Sequence, residues 1–183
     1  MFTTGVVRDG SVLREILLLQ KENLPAGLSP QEVRDQGFVT VEHSLDVLAK
    51  MHTLLPSVVA HENDSLVGYA LSMATECSEL IPVLRPLFDV LGRIELDGRL
   101  LADRPFYVMG QVCVAKTHRG LGVFDALYAA HRQSYASRFE LLVTEISERN
   151  TRSLRAHARV GFRVVHRYRD ETDAWNVVAW DWR

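Results

Sequence analysis

Apolar and polar positions along this chain repeat with two different periods, which predict two kinds of secondary-structure element. Spacings of three and four residues, typical of helices with one buried face, cover residues 9–23, 44–55, 76–91, 123–137 and 150–160. Short apolar or alternating stretches, typical of strands, cover residues 3–8, 58–61, 66–70, 106–114, 141–146, 163–168 and 174–182. Because strands outnumber helical crossovers, the expected fold is a single α/β (α+β) domain with a mixed, mostly antiparallel sheet and helices on both faces.

Glycine, proline and capping residues mark where several elements begin or end. Pro25 and Gly27 end the first helix, Pro56 ends the helix over 44–55, and Ser29-Pro30 begins a further short helix. Asp97-Gly98 predicts a turn. The periodicity also predicts the inner faces of two helices: Val12, Ile16, Leu17 and Leu19 or Gln20 in the first, and Val123, Leu127, Ala130 and Ser134 in the helix over 123–137.

A basic loop with two glycines joins a short extended run, 111–114, to an amphipathic helix. The loop reads Lys116-Thr117-His118-Arg119-Gly120-Leu121-Gly122. The first-turn N–H groups and the dipole of the following helix favour a phosphate, and glycine lets the backbone approach it closely. Arg119 can add two N–H donors. The segment therefore predicts either a site for a phosphate-bearing ligand or a plain glycine-rich turn.

Three phosphate-binding motifs compete for this loop, and the order of its residues separates them. A P-loop needs Lys-Ser or Lys-Thr after the glycines, whereas Lys116-Thr117 precedes them. A dinucleotide fingerprint needs a third glycine or alanine where Asp125 stands. An acyl-CoA loop has the pattern Gln/Arg-x-x-Gly-x-Gly/Ala, which residues 119–124 match except at Phe124. The residue order therefore favours the acyl-CoA loop.

The helix that begins at Asn150 carries a polar stripe. At about 100° per residue, Asn150, Ser153 and His157 share one side of it, next to the apolar contact. Buried polar groups need partners, which a polar ligand would supply. Alternatively, Asn150 caps the helix and His157 reaches water. Three arginines fall on the opposite side and are expected to form the solvated face: Arg152, Arg155 and Arg159.

Together these segments resemble the GNAT superfamily of acyl-CoA-dependent N-acyltransferases. A strand ending in Thr144-Glu145-Ile146-Ser147, a helix led by asparagine and a Val160-Gly161-Phe162 exit follow the phosphate loop at about the family's spacing. Upstream, residues 58–61 and 66–70 resemble the family's central hairpin. The resemblance extends from that hairpin to the end of the chain, and it depends on the order and spacing of segments that are individually only moderately specific.

The resemblance implies acetyl-CoA as cosubstrate and indicates which residues would hold it. Backbone N–H groups at Val112, Cys113 and Val114 would bind the thioester oxygen, and pantetheine would pair with the same backbone as a short extra strand. The pyrophosphate would lie on the loop and on the start of its helix. The remaining residues implied as cofactor contacts are Arg119, Gly120, Leu121, Gly122, Val123, Phe124, Asn150 and Ser153.

The implied reaction is transfer of an acetyl group to an amine, which must lose a proton before it attacks. Glu145 is the first candidate for the general base, with Glu76 and Glu79 as rivals and a solvent-facing Glu145 as the alternative. His157 stands where many family members have a tyrosine thought to protonate the leaving thiolate. It would be the general acid if a carboxylate such as Glu145 raised its pKa; otherwise it hydrogen-bonds near the sulfur and water supplies the proton.

Three features leave alternatives open. Phe124 replaces a small residue, so either its ring points away from the ligand or the phosphates sit slightly off the helix start. The apolar insertion over 75–104 packs into the core, walls the acceptor pocket or forms a homodimer surface, and packing is favoured because apolar helical stripes are usually buried. Cys113 offers a covalent acyl-cysteine route, which is disfavoured because no base neighbours the thiol in sequence.

Composition restricts the other function classes. The 183 residues, 47% of them hydrophobic, suffice for one sizeable core, and a net charge of −2 gives no argument for binding nucleic acid or a membrane surface. No secretory signal or membrane-spanning run is expected, so the cytoplasm is the default compartment. Two cysteines without a Cys-x-x-Cys spacing and scattered histidines predict neither a disulfide framework nor a metal site.

The resulting prediction is one N-acetyltransferase-like domain over residues 1–183 that transfers acetyl directly from acetyl-CoA to a small-molecule or peptide amine. Residues 1–56 are expected to shape the acceptor site, and residues 105–162 to form the acyl-CoA-binding core. The alternative is a catalytically inactive acyl-CoA-binding or sensing module of the same fold. No charge cluster in the sequence names the acceptor, and the length of the acyl chain, the identity of the base and the oligomeric state are equally open.

Overall fold

The computed structural model describes residues 1–29, 31–32 and 38–183, which form a seven-stranded sheet with helices on both faces and a separate small hairpin. The strands are β1 (Phe2–Val6), β2 (Val58–Glu62), β3 (Ser65–Met73), β4 (Glu95–Leu96), β5 (Arg99–Leu100), β6 (Phe106–Val114), β7 (Leu141–Ser147), β8 (Arg163–Arg169) and β9 (Ala174–Asp181). The large sheet has the order β1-β2-β3-β6-β7-β9-β8, and β6–β7 is its parallel pair; the other neighbours are antiparallel. Strands β4 and β5 form the hairpin.

The helices cover both faces of the sheet, as the periodicity predicts. One face carries α1 (Leu13–Lys21), α2 (Leu45–Leu54) and α3 (Arg85–Leu91), and the other carries α4 (Val123–Tyr135) and α5 (Thr151–Val160). Short 3-10 turns cover Gly10–Val12, Pro25–Gly27, Thr75–Glu79, Pro82–Leu84, Leu101–Asp103 and Lys116–His118. The predicted α/β fold with a mixed, mostly antiparallel sheet is confirmed. None of the described helices has the length and apolar character needed to cross a membrane.

The insertion over 75–104 packs into the core on the α1 side, as favoured from its sequence. Its buried members are Cys77, Ile81, Leu84, Leu87, Leu91, Ile94, Leu96 and Leu101. The expectation of one continuous helix over 76–91 is wrong, because two 3-10 turns precede the short α3. Pro82 and Pro86 cause the interruption, since proline has no N–H to donate and disfavours helical backbone in the residue before it.

Other local expectations have mixed outcomes. Asp97 and Gly98 form the predicted turn, with φ of +55° and +77°. Ser134 is exposed rather than part of the inner face of α4, and the larger side chains of Tyr128, His131 and Tyr135 are buried on that face. The short helix expected from Ser29-Pro30 lies largely outside the described residues.

The sheet divides between β6 and β7, and this division positions the candidate site. The two parallel strands pair at three positions, the last being Val108 with Val143. Beyond that pair, β6 continues to Val114 and β7 to Ser147 without pairing to each other. We call the space between residues 109–114 and 144–147 the strand gap.

A β-bulge at Gly110 accounts for the division. The register between β3 and β6 shifts between Leu71 and Ser72, which leaves Gly110 as the additional residue. A bulge bends its strand and increases the local twist, so β6 turns away from β7. A Cβ at position 110 would lie 2.7 Å from Met73 Cε, and glycine therefore permits the close packing at this bend. The bulge also directs Cys113 into the core on the α1 side, whereas Val112 packs on the α4 side.

Candidate functional site

A cleft of about 400 Å³ runs from the end of β6 over the basic loop to α5. Its lining includes every residue predicted to contact the cofactor except Leu121, Gly122 and Val123. It shares Val112, Asn150 and other residues with a smaller cavity of about 70 Å³ in the strand gap, so the two spaces adjoin. We call the larger space the basic cleft.

The loop between β6 and α4 has the backbone conformation of an anion-binding helix start. Gly120 and Gly122 have φ of +80° and +83°, and Gly122 is the N-cap residue of α4. A Cβ at either position would meet nothing within 4 Å, so glycine is required by conformation and not by lack of space. The N–H groups of the first turn of α4 have no intrahelical partner, and they are therefore donors for a ligand at this end of the helix. Of the two predicted contacts on either side of Gly122, Leu121 is exposed to solvent and Val123 is buried in the core.

Arg119 connects two elements at the edge of the cleft. Its guanidinium donates to Asn23 Oδ1, just beyond α1, over 2.5 Å and to the carbonyl oxygen of Val114 over 3.2 Å. Partial burial lowers the pKa of Arg119, and the neighbouring positive charge of Arg152 acts in the same direction. An anion between these two guanidinium groups would relieve their repulsion.

The arginines of α5, which were expected on a solvated face, also border the candidate site. All three of them line the basic cleft: Arg152, Arg155 and Arg159. Arg155 and Arg159 are also exposed, because the cleft is open to solvent along α5. Arg159 pairs with Asp125 on α4 over 2.8 Å. The polar stripe and the arginines of this helix therefore border the same space from two sides.

Asn150 caps α5 and also lies in the cleft. Its Oδ1 accepts a hydrogen bond from the backbone N–H of Ser153 over 3.1 Å, as a capping asparagine does. Its Nδ2 donates to the carbonyl oxygen of Phe38 over 3.3 Å, which ties the start of α5 to the segment before α2. Both Asn150 and Ser153 line the cleft and the strand gap, so the cap does not remove them from the site.

His157 is a buried, neutral histidine. Its Nδ1 lies 2.8 Å from the carbonyl oxygen of Ser153, and its Nε2 lies 2.5 Å from the hydroxyl of Tyr128. Because a carbonyl oxygen only accepts, Nδ1 carries the ring proton and Nε2 accepts from Tyr128. Burial lowers the pKa of His157 to about 4. Glu145, expected as a carboxylate that would raise this pKa, is not among the groups that act on it.

Phe124 is among the residues that line the cleft, and its ring packs against the core on the α4 side. It packs edge-on against His157, with ring centroids 5.1 Å apart, and also against Tyr128 at 4.9 Å. Phe162 contacts His157 edge-on at 5.1 Å. These rings surround the imidazole and explain why it is desolvated. The large residue at position 124 thus helps to enclose His157.

Glu145 borders the strand gap from the α1 side of the sheet, which is the face opposite to α4 and α5. It pairs in register with Val177 of β9, whose side chain lies in the core on the α1 side. The hydroxyl of Tyr168, on β8, donates a hydrogen bond to the Glu145 carboxylate. Burial raises the pKa of Glu145 to about 7, although the hydrogen bond from Tyr168 acts against this rise. The rivals Glu76 and Glu79 are exposed, and neither lines the gap or the cleft.

Cys113 is buried in the core on the α1 side, close to the strand gap but without an activating base. Burial raises the pKa of its thiol to about 12. A nucleophilic cysteine needs the opposite shift. The geometry therefore favours the structural interpretation of this residue.

A buried polar network connects the strand gap to α1, and the sequence pattern does not reveal it. Gln111 lines the gap and accepts hydrogen bonds from Tyr69 over 2.5 Å and from Gln20 over 2.8 Å. Gln20 also bonds to His43, whose backbone N–H donates to Gln20 Oε1 over 2.9 Å. Burial lowers the pKa of His43 to about 4, so the network is neutral. Its only sequence signal is a glutamine on the inner face of α1.

The arrangement of strands, gap and helix start matches a group of known structures. The chain has the GNAT fold. An N-acetyltransferase from Escherichia coli that acts on the alanine of ribosomal protein S18 is 12% identical, with a TM-score of 0.66 over 99% of this chain and 94% of that one. A GNAT-family acetyltransferase from Streptococcus agalactiae is 11% identical, with a TM-score of 0.69 over 100% and 96%.

A third structure with the GNAT fold contains a cofactor. The protein yncA from Salmonella typhimurium, solved with acetyl-CoA, is 16% identical, with a TM-score of 0.61 over 100% of this chain and 94% of that one. No family model and no curated protein matches the sequence. At these identities the likeness establishes the fold, whereas the chemistry must be argued from the residues of this site.

Proposed function

We propose that this protein is an N-acetyltransferase that moves an acetyl group from acetyl-CoA directly to an amine acceptor. The observation that carries the proposal is the strand gap, which places an unpaired edge of β6, an ionisable carboxylate and a glycine-rich helix start around two adjoining cavities. The β6 edge and the helix start suit a thioester with a phosphate-bearing tail, and the carboxylate suits an amine. The known structures that share the fold, several of them acetyltransferases, support the same function.

The residues of the basic cleft fit acetyl-CoA in three respects. The first-turn amides of α4 and the guanidinium groups around the cleft suit phosphates. The edge of β6 beyond Val108 lacks a partner strand, so its backbone groups suit the amides of pantetheine. We assign the thioester oxygen to the N–H groups of Val112 and Val114, because the N–H of Cys113 between them faces β3. We assign the polar cleft contacts to Asn150 and Ser153. When bound, acetyl-CoA supplies the acyl group and a thiolate leaving group.

Glu145 is our candidate for the general base. An acceptor amine is mostly protonated near neutral pH and must lose a proton before it attacks the carbonyl carbon. A carboxylate with a pKa of about 7 is a stronger base than an ordinary glutamate and is half ionised at that pH. Glu145 borders the gap from the face opposite to α4, so the amine and the cofactor approach from different faces of the sheet.

His157 remains in the proposed site as a neutral hydrogen-bonding residue. With its pKa lowered to about 4, it has no imidazolium proton to give at neutral pH. A thiol has an ordinary pKa of about 8.5, so a departing thiolate needs little assistance and water can protonate it. We therefore assign to His157 the placement of Ser153 beside the gap, and we assign the final proton to water.

The acceptor is an amine of a small molecule or a peptide, and the segment before α2 is our candidate for shaping its pocket. Phe38, Val39 and Thr40 line the strand gap, and they belong to the N-terminal region. The 75–104 insertion has no residue in that lining, which is consistent with its packing role.

A coupled assay tests the proposal. Acetyl-CoA is incubated with a panel of polyamines, amino-acid amides and short peptides, and released CoA is trapped with a thiol-reactive dye while calorimetry measures acetyl-CoA binding. We expect binding together with turnover on at least one amine, and turnover lost in Glu145→Gln. Binding without turnover on any amine would favour the acyl-CoA-sensing module, and absence of both would reject the proposal.

A further inference from the structure

We infer that Tyr168, on the edge strand β8, is a positioning residue for Glu145 and sets the pH range in which this carboxylate acts as a base, an inference that rests on the role proposed above for Glu145. The Tyr168 hydroxyl donates a hydrogen bond to Glu145 Oε2. The residues lie on different strands, with β9 between them. No sequence motif links them, and the contact exists only in the folded sheet.

The register of three neighbouring strands brings the two side chains together. Trp175 of β9 pairs with Ser147 of β7 on one side and with Tyr168 of β8 on the other. Glu145 is two residues from Ser147 and therefore points to the same face of the sheet. The side chains of Tyr168 and Glu145 therefore meet across β9, where the hydroxyl reaches the carboxylate. Trp175, itself buried, lies at the corner of this arrangement.

Tyr168 is suited to hold the base and not to replace it. Burial raises the pKa of Tyr168, and the adjacent Glu145 raises it further. The hydroxyl therefore keeps its proton and remains a hydrogen-bond donor throughout the working pH range. A permanent donor favours the ionised carboxylate, which is the form that accepts a proton from the amine. It also restricts the side-chain torsions of Glu145, so that the second carboxylate oxygen is fixed relative to the gap.

The other titratable groups around Glu145 do not lower its pKa. Asp170, just after β8, carries a negative charge that disfavours ionisation of Glu145. Across the gap His157 is neutral, and on the α1 side His43 is neutral within its glutamine network. Among the described residues that influence Glu145, the Tyr168 hydroxyl is the group that lowers its pKa. Its removal should therefore shift the base to a higher pH range.

The test uses Tyr168→Phe, which keeps the ring and removes the hydroxyl. Carboxyl-carbon NMR titration of protein labelled at glutamate follows Glu145 directly, with Glu145→Gln used to assign its signal. In parallel, kcat/KM for the best amine is measured between pH 6 and 9. We expect Tyr168→Phe to raise the pKa of Glu145 and so to move the ascending limb of the kcat/KM profile to higher pH. At pH 7, kcat/KM should fall about threefold or more, and it should recover near pH 9.

Tyr135→Phe is the matched control, because its hydroxyl also donates to a carbonyl oxygen, that of Pro56, but Tyr135 lines neither the gap nor the basic cleft. That variant should leave both the Glu145 titration and the pH profile unchanged. An unchanged Glu145 titration in Tyr168→Phe, or a loss of rate that is equal at pH 7 and pH 9, would overturn the inference. If no amine is turned over, the proposed function fails, yet the NMR titration still decides whether Tyr168 controls the ionisation of Glu145.

Discussion

The hydroxyl of Tyr128 donates to Nε2 of His157 over 2.5 Å, and both side chains are almost completely buried. The opposite ring nitrogen donates to the carbonyl oxygen of Ser153. His157 thus uses both nitrogens inside the protein, in the neutral form. At the position where the resemblance implies a proton donor to the thiolate, the chain instead has a hydrogen-bonded aromatic pair.

His157→Phe should affect stability more than catalysis. The substitution removes the acceptor of the Tyr128 hydroxyl and leaves a buried polar group unpaired, which costs about 1–3 kcal/mol of unfolding free energy. Turnover at pH 7 should stay within about threefold of wild type, because the thiolate does not depend on this proton. Urea unfolding and steady-state kinetics measure the two effects.

The double variant Tyr128→Phe/His157→Phe serves as the control for this pair. It removes both partners, so it should be less destabilised than the sum of the single variants predicts. A tenfold or greater loss of turnover in His157→Phe, accompanied by disappearance of an alkaline limb in wild type, would restore His157 as the general acid.

The stability of the fold should fall as pH is lowered from 7 to 5. Burial lowers the pKa values of His43 and His157 to about 4 and of His131 to about 3, against an ordinary 6.5. Between about pH 4 and pH 6.5, these three histidines are protonated in the unfolded chain and neutral in the folded chain, so unfolding takes up as many as three protons. Glu145 acts in the opposite sense, because with its pKa of about 7 it holds a proton in the folded state that the unfolded chain releases above about 4.5.

The balance near pH 5 is a net uptake of about two protons on unfolding, or about 2.7 kcal/mol per pH unit. Urea titrations at intervals between pH 5 and 7 measure this slope. His131→Gln, remote from the cleft, should reduce it by about one proton. A free energy of unfolding that does not change over this range would contradict the burial of these histidines.

Arg155→Ala should weaken binding of acetyl-CoA while leaving the fold intact. Arg155 is exposed and lines the basic cleft, so its contribution to a phosphate is that of a solvent-screened charge, and a loss of about fivefold in affinity is expected. It is a cleaner probe than Arg119, which also bonds to Asn23. Calorimetry at two salt concentrations should show the difference shrinking at high salt. Arg14→Ala, on the exposed face of α1, is the control, and equal affinities for the two variants would remove Arg155 from the cofactor site.

Cys113→Ala should retain about half or more of the wild-type kcat, because a buried thiol with a pKa of about 12 supplies almost no thiolate.

Direct transfer also requires both substrates to be bound together, so initial-rate plots at several acetyl-CoA concentrations should intersect. Mass spectrometry after incubation with acetyl-CoA should find Cys113 unmodified, with buried Cys77 as the internal reference. Parallel plots together with an acetylated Cys113 would establish the covalent route instead.

Local sequence determined the elements whose signals are local. The strand over Phe106–Val114, the two glycines with positive φ before α4 and the Asn150 cap all follow from residue types at neighbouring positions. Periodicity likewise placed helices on both faces of the sheet. It did not resolve the interruption before α3, where backbone constraints at two prolines override an apolar helical pattern.

The chemistry of the site was decided by tertiary structure. Whether Glu145 is solvated or desolvated depends on β9 and on the Tyr168 hydroxyl, and the neutral state of His157 depends on Tyr128 and the surrounding rings. The strand gap itself requires a register shift at Gly110 that is visible only against β3. These properties depend on which distant groups share a register and exclude water from each other, and a pattern along one chain contains neither the register nor the desolvation that sets a pKa.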